Sequence, residues 1–193
     1  MITSVPVELN GGDAGPVIVA ELSGNHNGSL DRALDLVRAV ATTPITHVKL
    51  QTFTADTITL DVDTPSFKIA ADHPLWGGRT LHSLYAEAST PWEWHSPIFE
   101  LARELGLVPF STPFDATAVE LLEGLGTPLY KVASLEIGDL ALIREIAGTG
   151  KPMVISTGAS TLGEIDDAVQ AAQSITDAPI TLLVCTSSYP APG

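Results

Sequence analysis

An α/β fold with parallel strands is the architecture this sequence predicts. Six short apolar runs alternate with segments of helical spacing, and most of the links between them are short. The runs are VIVAE (17–21), HVKLQ (47–51), GLVPFST (106–112), LYKVAS (129–134), PMVIST (152–157) and TLLVCTSS (181–188). They have the length of strands and are bounded by glycine, proline and polar turns. The helical segments fall near residues 29–41, 91–105, 115–124, 139–148 and 161–173. Two of them open on a capping-box pattern: Thr90 to Glu93, with Pro91 at the first helical position, and Thr161 to Glu164. Pro97 is expected to kink the first of these two helices.

Strict β/α alternation requires parallel strands covered by helices on the outside, and no linker or shift in composition divides residues 1–193. Six units are too few to close an eight-stranded barrel, and YPAPG follows the sixth run before any helix of its own. The expectation is therefore a single domain, 1–193, forming the N-terminal portion of a (β/α)8 TIM barrel with about six of the eight strands. A doubly wound sheet of six strands is the alternative. It normally carries a glycine-rich dinucleotide fingerprint after its first strand, which ELSGNHNGS does not match.

The chain has 193 residues, 45% of them hydrophobic, enough for one sizeable core. Nine basic against 23 acidic side chains give a net charge of −14, which argues against nucleic acid as a partner. The acid excess is spread without blocks, as on a solvated surface, and suits a salt-rich cytoplasm. No apolar run reaches the roughly 20 residues of a membrane helix and no secretory pattern opens the chain, so no membrane partner and a cytoplasmic location are expected. The single cysteine, Cys185, ends an apolar run and reads as a small buried hydrophobe.

In such folds the functional surface lies at the carboxyl ends of the strands. The polar residues there are Glu21; Lys49 and Gln51; Ser111 and Thr112; Lys131, Ser134 and Glu136; Ser156, Thr157 and Gly158; and Thr186, Ser187 and Ser188. Lys49 and Gln51 alternate with Val48 and Leu50, so the two polar side chains share one face of their strand. Two of only four lysines thus sit on strands in apolar surroundings, where an unpaired ammonium is costly. Glu21 and Glu136 could pair with them internally. The hydroxyl-rich strand ends, each leading toward a helix N-terminus, favour a bound small molecule carrying more than one negative group.

The ordered segments AELSGNHNGSLDRAL, VKLQTFTADTITLD, LWGGRTLHSLYAEASTPWEWH, FSTPFDATAVELLE, YKVASLEIGDLALI, KPMVISTGAS and CTSSYPAP resemble the sialic acid synthase family. SGNHNGS, LWGGRTL and TPWEWH are similar to its pseudaminic acid branch. The resemblance implies condensation of phosphoenolpyruvate with the open-chain aldehyde of an N-acetylated amino sugar, consuming water and releasing phosphate. It implies that Lys49, Thr112, Lys131, Ser134, Ser156 and Ser187 bind phosphoenolpyruvate, with Gln51 lining the pocket and Glu21 and Glu136 near the reacting carbons. It also implies a divalent metal, Mn2+ or Mg2+, held by two histidines of later strands, and a C-terminal antifreeze-like domain swapped across a homodimer. Those later strands and that domain are not read in these 193 residues, which by themselves are expected to be inactive. Of the five histidines, His47, His73, His82 and His95 suit ordinary packing or surface roles, whereas His26, beside Asn25 in the first strand–helix loop, is a candidate sugar contact. The connection from Thr52 to Ser89 is long enough to act as a lid. A satellite cluster packing Trp76 and Tyr85 onto the barrel is equally consistent with its letters.

Overall fold

The computed structural model describes residues 16–185. Its six strands are β1 (Val19–Ser23), β2 (His47–Thr52), β3 (Val108–Pro113), β4 (Tyr130–Val132), β5 (Met153–Ser156) and β6 (Ile180–Leu183). All pair in parallel, and their order across the sheet is their order in the chain. A doubly wound sheet reverses strand order at a switch point, whereas a barrel wall advances one neighbour at a time. The sequential order therefore selects the barrel.

The helices that return the chain from one strand to the next are α1 (Leu30–Ala41), α4 (His95–Glu104), α5 (Ala116–Gly124), α6 (Leu140–Gly148) and α7 (Leu162–Gln173). Two short ones, α2 (Ala55–Ile58) and α3 (Leu81–Ala88), lie in the long connection after β2. The strand pleat divides the core in two. Val48, Leu50, Tyr130, Val132, Met153 and Ile155 face outward and bury against helix residues such as Val37, Phe99, Leu122 and Ile146. The alternate residues face inward, where Val108, Phe110, Leu129 and Val154 form a smaller apolar floor with Val19.

The Thr161–Glu164 capping box forms in both directions. The one expected at Thr90–Glu93 does not. Thr90 is buried, and its hydroxyl donates to the carbonyls of Ser23 and Gly24 in the loop after β1. With that oxygen engaged, the chain makes a 3-10 turn at Trp92–Trp94 and α4 proper begins at His95. Pro97 then lies in the first turn, where its missing N–H interrupts no intrahelical bond, and α4 continues through to Glu104 instead of kinking. The long connection is folded: besides α2 and α3 it holds a 3-10 turn at Pro65–Phe67 and an antiparallel bridge between Lys68 and Thr80. Tyr85 packs edge-on against Phe53, which packs against Phe114, but Trp76 stacks on His73 and stays 39% exposed. Only Tyr85 joins the satellite cluster.

Candidate active site

The parallel register places Glu21 of β1 opposite Lys49 of β2, and Lys49 opposite Phe110 of β3. Lys49 points inward and is only 4% exposed. Its Nζ lies 3.5 Å from Glu21 Oε2 and 3.4 Å from Thr112 Oγ1. Charge-assisted contacts normally close to about 2.7–2.9 Å, so this ammonium has neighbours without a tight partner. Two strands along, Lys131 is also buried, and its Nζ donates to the carbonyl of Val132 at 2.8 Å and to the Ser156 hydroxyl.

Burial, and next the positive charge of Lys49, push the Lys131 ammonium down to about 8. Lys49 is lowered by its own burial, with Glu21 opposing. Two buried cations thus stand close enough to repel, and the carboxylate that touches one of them is half open to solvent. Burial raises the Glu136 carboxyl above the ordinary range, although Lys131 pulls it the other way. A cavity of about 140 Å3 lies between Glu21, Lys49 and Lys131, with Val19, Phe110 and Val154 among its walls. A larger open cleft of about 570 Å3 lies between α5 and α6, where Glu120, Glu123 and Glu145 surround Arg144. Its lining holds no pair of cations, so the smaller cavity is the candidate anion site.

Thr112 and Ser156 are buried on the inward face of their strands, and half-buried Gln51 shares the face of Lys49. Ser134 and Glu136 sit in the 3-10 turn Ser134–Gly138 that follows β4. Other strand-end hydroxyls are turned elsewhere. Ser111 faces the helices and bonds to Thr52 Oγ1 at 2.7 Å, and the Thr157 hydroxyl and N–H both donate to the Leu183 carbonyl. The helix N-termini are also capped internally, α5 by Asp115, α6 by Asp139 and α7 by Thr161. The lysines and inward hydroxyls, rather than helix dipoles, make the site.

Asn25 donates its side-chain amide to the Glu87 carbonyl, tying the first loop to the end of α3. His26 lies in the same loop, where Ser23, His26 and Asn27 all adopt positive φ of 51–57°. Its Nε2 is buried without a partner, and burial, then the charge of Arg32, lowers its pKa. Neither residue is part of the lining between the lysines. Ser187, with Thr186 and Ser188, lies outside the described residues.

Cys185 departs from the sequence expectation. It is half-buried rather than a core residue, because Thr181 and Leu183 line the cavity and position 185 continues that inward face. Burial acts to raise its thiol, but the polar surroundings of Ser156, Thr157, Ser134 and Gly158 bring it below the ordinary value, and its Sγ lies 3.5 Å from the Leu183 carbonyl. Extending the two-residue alternation along TLLVC would have found it. Among the described residues, no group of three or more His, Cys, Asp or Glu side chains converges as a metal site.

A model of the NeuB family matches residues 36–193. The chain is 46% identical over 175 residues to the pseudaminic acid synthase of Helicobacter pylori, covering 91% of this chain and 51% of that protein. It is 40% identical over 173 residues to the pseudaminic acid synthase of Campylobacter jejuni, covering 90% and 50% respectively. The fold matches the N-acetylneuraminic acid synthetase of Leptospira borgpetersenii, crystallised with citrate, at a TM-score of 0.77 and 25% identity over 91% of this chain and 56% of that one. The chain spans about half the length of the curated relatives it matches. With four-fifths of its residues inside the family model and a barrel-type sheet shared with the synthetase, this chain belongs to the NeuB family.

Proposed function

We propose that this chain is the N-terminal barrel portion of a phosphoenolpyruvate-dependent pseudaminic acid synthase. The enzyme would condense phosphoenolpyruvate with 2,4-diacetamido-2,4,6-trideoxy-altrose and water to give pseudaminic acid and phosphate. The observation that carries the reading is the convergence of Lys49 and Lys131 on one cavity, both buried and neither closed tightly on a carboxylate among the described residues. A ligand bearing a phosphate and a carboxylate supplies the negative charge those ammoniums lack.

In this reading Lys49 and Lys131, with the hydroxyls of Thr112, Ser134 and Ser156, hold phosphoenolpyruvate, and Ser187 and Gln51 complete its surroundings. Carbon 3 of phosphoenolpyruvate bonds to the sugar aldehyde carbon, water adds at carbon 2, and the phosphate leaves as its C–O bond breaks. The lysines stabilise the charge that gathers on that phosphate. In this reading Glu136, whose carboxyl burial pushes up, would hold a proton for the leaving or accepting oxygen, while Glu21 would orient water beside Lys49. Asn25 and His26 are assigned to the sugar side. The divalent Mn2+ or Mg2+ would supply Lewis-acid activation of the aldehyde, but the described residues offer no fitting ligand set and no step here runs through it. A cytoplasmic homodimer closed by an antifreeze-like domain completes the proposal.

The test is Lys49→Ala in the protein that carries this chain, following phosphate release and circular dichroism together. Loss of most turnover with an unchanged spectrum is expected; wild-type turnover would overturn the assignment.

A further inference from the structure

The segment TPWEWH ends in a histidine that the proposed chemistry does not use. His95 is fully buried at the start of α4. Its Nε2 lies 2.9 Å from Thr52 Oγ1, its Nδ1 lies 3.3 Å from the Pro91 carbonyl, and Thr52 Oγ1 lies 2.7 Å from Ser111 Oγ. Thr52 and Ser111 are themselves fully buried. A carbonyl can only accept, so Nδ1 carries the proton of the neutral ring and Nε2 accepts from the Thr52 hydroxyl. That hydroxyl has spent its one hydrogen, so Ser111 must donate to it. The direction of the whole chain follows: Ser111 to Thr52, Thr52 to His95, His95 to Pro91.

The chain sits where the backbone ladder weakens. Thr52 is in register with Pro113, which brings no N–H to the end of β3. Directly before these residues, Gln51 and Thr112 pair in register, and Lys49 Nζ reaches Thr112. The outward side chains of two strand ends are thus tied together under α4 while Gln51 and Thr112 share the inward face of Lys49.

We propose that His95 is a positioning residue for that cavity: through Thr52 and Ser111 it fixes the ends of β2 and β3, and with them Lys49, Gln51 and Thr112. The proposal rests on reading the inward face as the phosphoenolpyruvate site.

Conservative variants separate the two bonds of the ring. Gln at position 95 can keep an acceptor where Nε2 stands, and Asn keeps a donor where Nδ1 stands. We expect His95→Asn and Thr52→Val to weaken phosphoenolpyruvate binding, measured by calorimetry, about tenfold, and His95→Gln to stay within about twofold of wild type. Ile98→Val, a cavity mutation on the same helix, lowers stability without touching the chain and should leave affinity unchanged. Hydrogen exchange of the Gln51 and Thr112 amides, read without ligand, should quicken in His95→Asn and Thr52→Val and not in His95→Gln. Equal loss in Gln and Asn variants, or affinity that tracks stability through Ile98→Val, would overturn the positioning role. If the wild-type protein binds no phosphoenolpyruvate, the site reading fails, and the exchange pattern alone then upholds or overturns the tie between the strands.

Discussion

Lys131→Met should make this protein more stable and unable to hold its anion. The side chain is buried, and its ammonium is held at about 8 against an ordinary 10.5, first by burial and then by Lys49. A lysine whose folded pKa lies below its unfolded value costs stability wherever the unfolded chain binds the extra proton. That cost is complete below about pH 8 and disappears as pH rises from about 8 toward 10.5. Its upper bound, at about 1.4 kcal/mol per pH unit, is on the order of 3 kcal/mol. Methionine has nearly the same shape and no charge, but it loses the donations to Val132 and Ser156 and leaves that hydroxyl a partner short. A net gain of about 1–2 kcal/mol at pH 7 remains, worth roughly 5 °C in Tm for a chain of this size. The gain should vanish near pH 10, where the wild-type lysine is neutral. Calorimetry should meanwhile show phosphoenolpyruvate binding lost in the variant. In the wild type it should fall about tenfold between pH 7 and pH 9, as the Lys131 ammonium gives up its proton. A variant that melts earlier at pH 7 and still binds phosphoenolpyruvate would refute the argument.

Given the segments SGNHNGS and TPWEWH, competition in one pot should favour the 2,4-diacetamido altrose sugar over N-acetylmannosamine by more than about tenfold, or about 1.4 kcal/mol in transition-state binding; the reverse preference would move the protein to a sialic branch. Alkylation of Cys185 by iodoacetamide at pH 7.5 should slow several-fold when inorganic phosphate or phosphoenolpyruvate is added, because position 185 follows Thr181 and Leu183 on the inward face beside the cavity of the proposed anion. Mass spectrometry of the labelled peptide reads this directly, and an unchanged rate would place the anion elsewhere.

Much of the fold was legible from local pattern. Side chains alternate every two residues in a strand and return every 3.6 in a helix, so HVKLQT showed by itself that Lys49 and Gln51 share a face, and the Thr161–Glu164 cap was readable from four letters. The family was legible for the same reason, since its motifs are contiguous. The site was legible only as a list of residues. Glu21, Lys49 and Lys131 were each visible at a strand end, but nothing in the letters states that Lys131 feels the charge of Lys49, or that Glu21 is opposite Lys49 rather than one residue off register.

Thr90 shows the limit most clearly. Its letters spell a helix cap, yet its hydroxyl goes to Ser23 and Gly24, which are distant in sequence and near only because β1 and the segment before α4 meet. Ser111 and Thr112 make the same point one residue apart: both looked like strand-end hydroxyls, and the pleat sends one to Thr52 beneath α4 and the other to Lys49. Cys185 is half-buried rather than a core residue because it follows Thr181 and Leu183, which face the cavity rather than the helices. Sequence by itself determined the strands, the helices that link one strand to the next, the family and the candidate residues, because each is encoded within a few consecutive positions, whereas α2 and α3 in the long connection were not read from it. Tertiary structure alone decided strand order, which hydroxyls face inward together, and the spacing of two buried ammoniums, because these depend on how separate segments pair across the sheet.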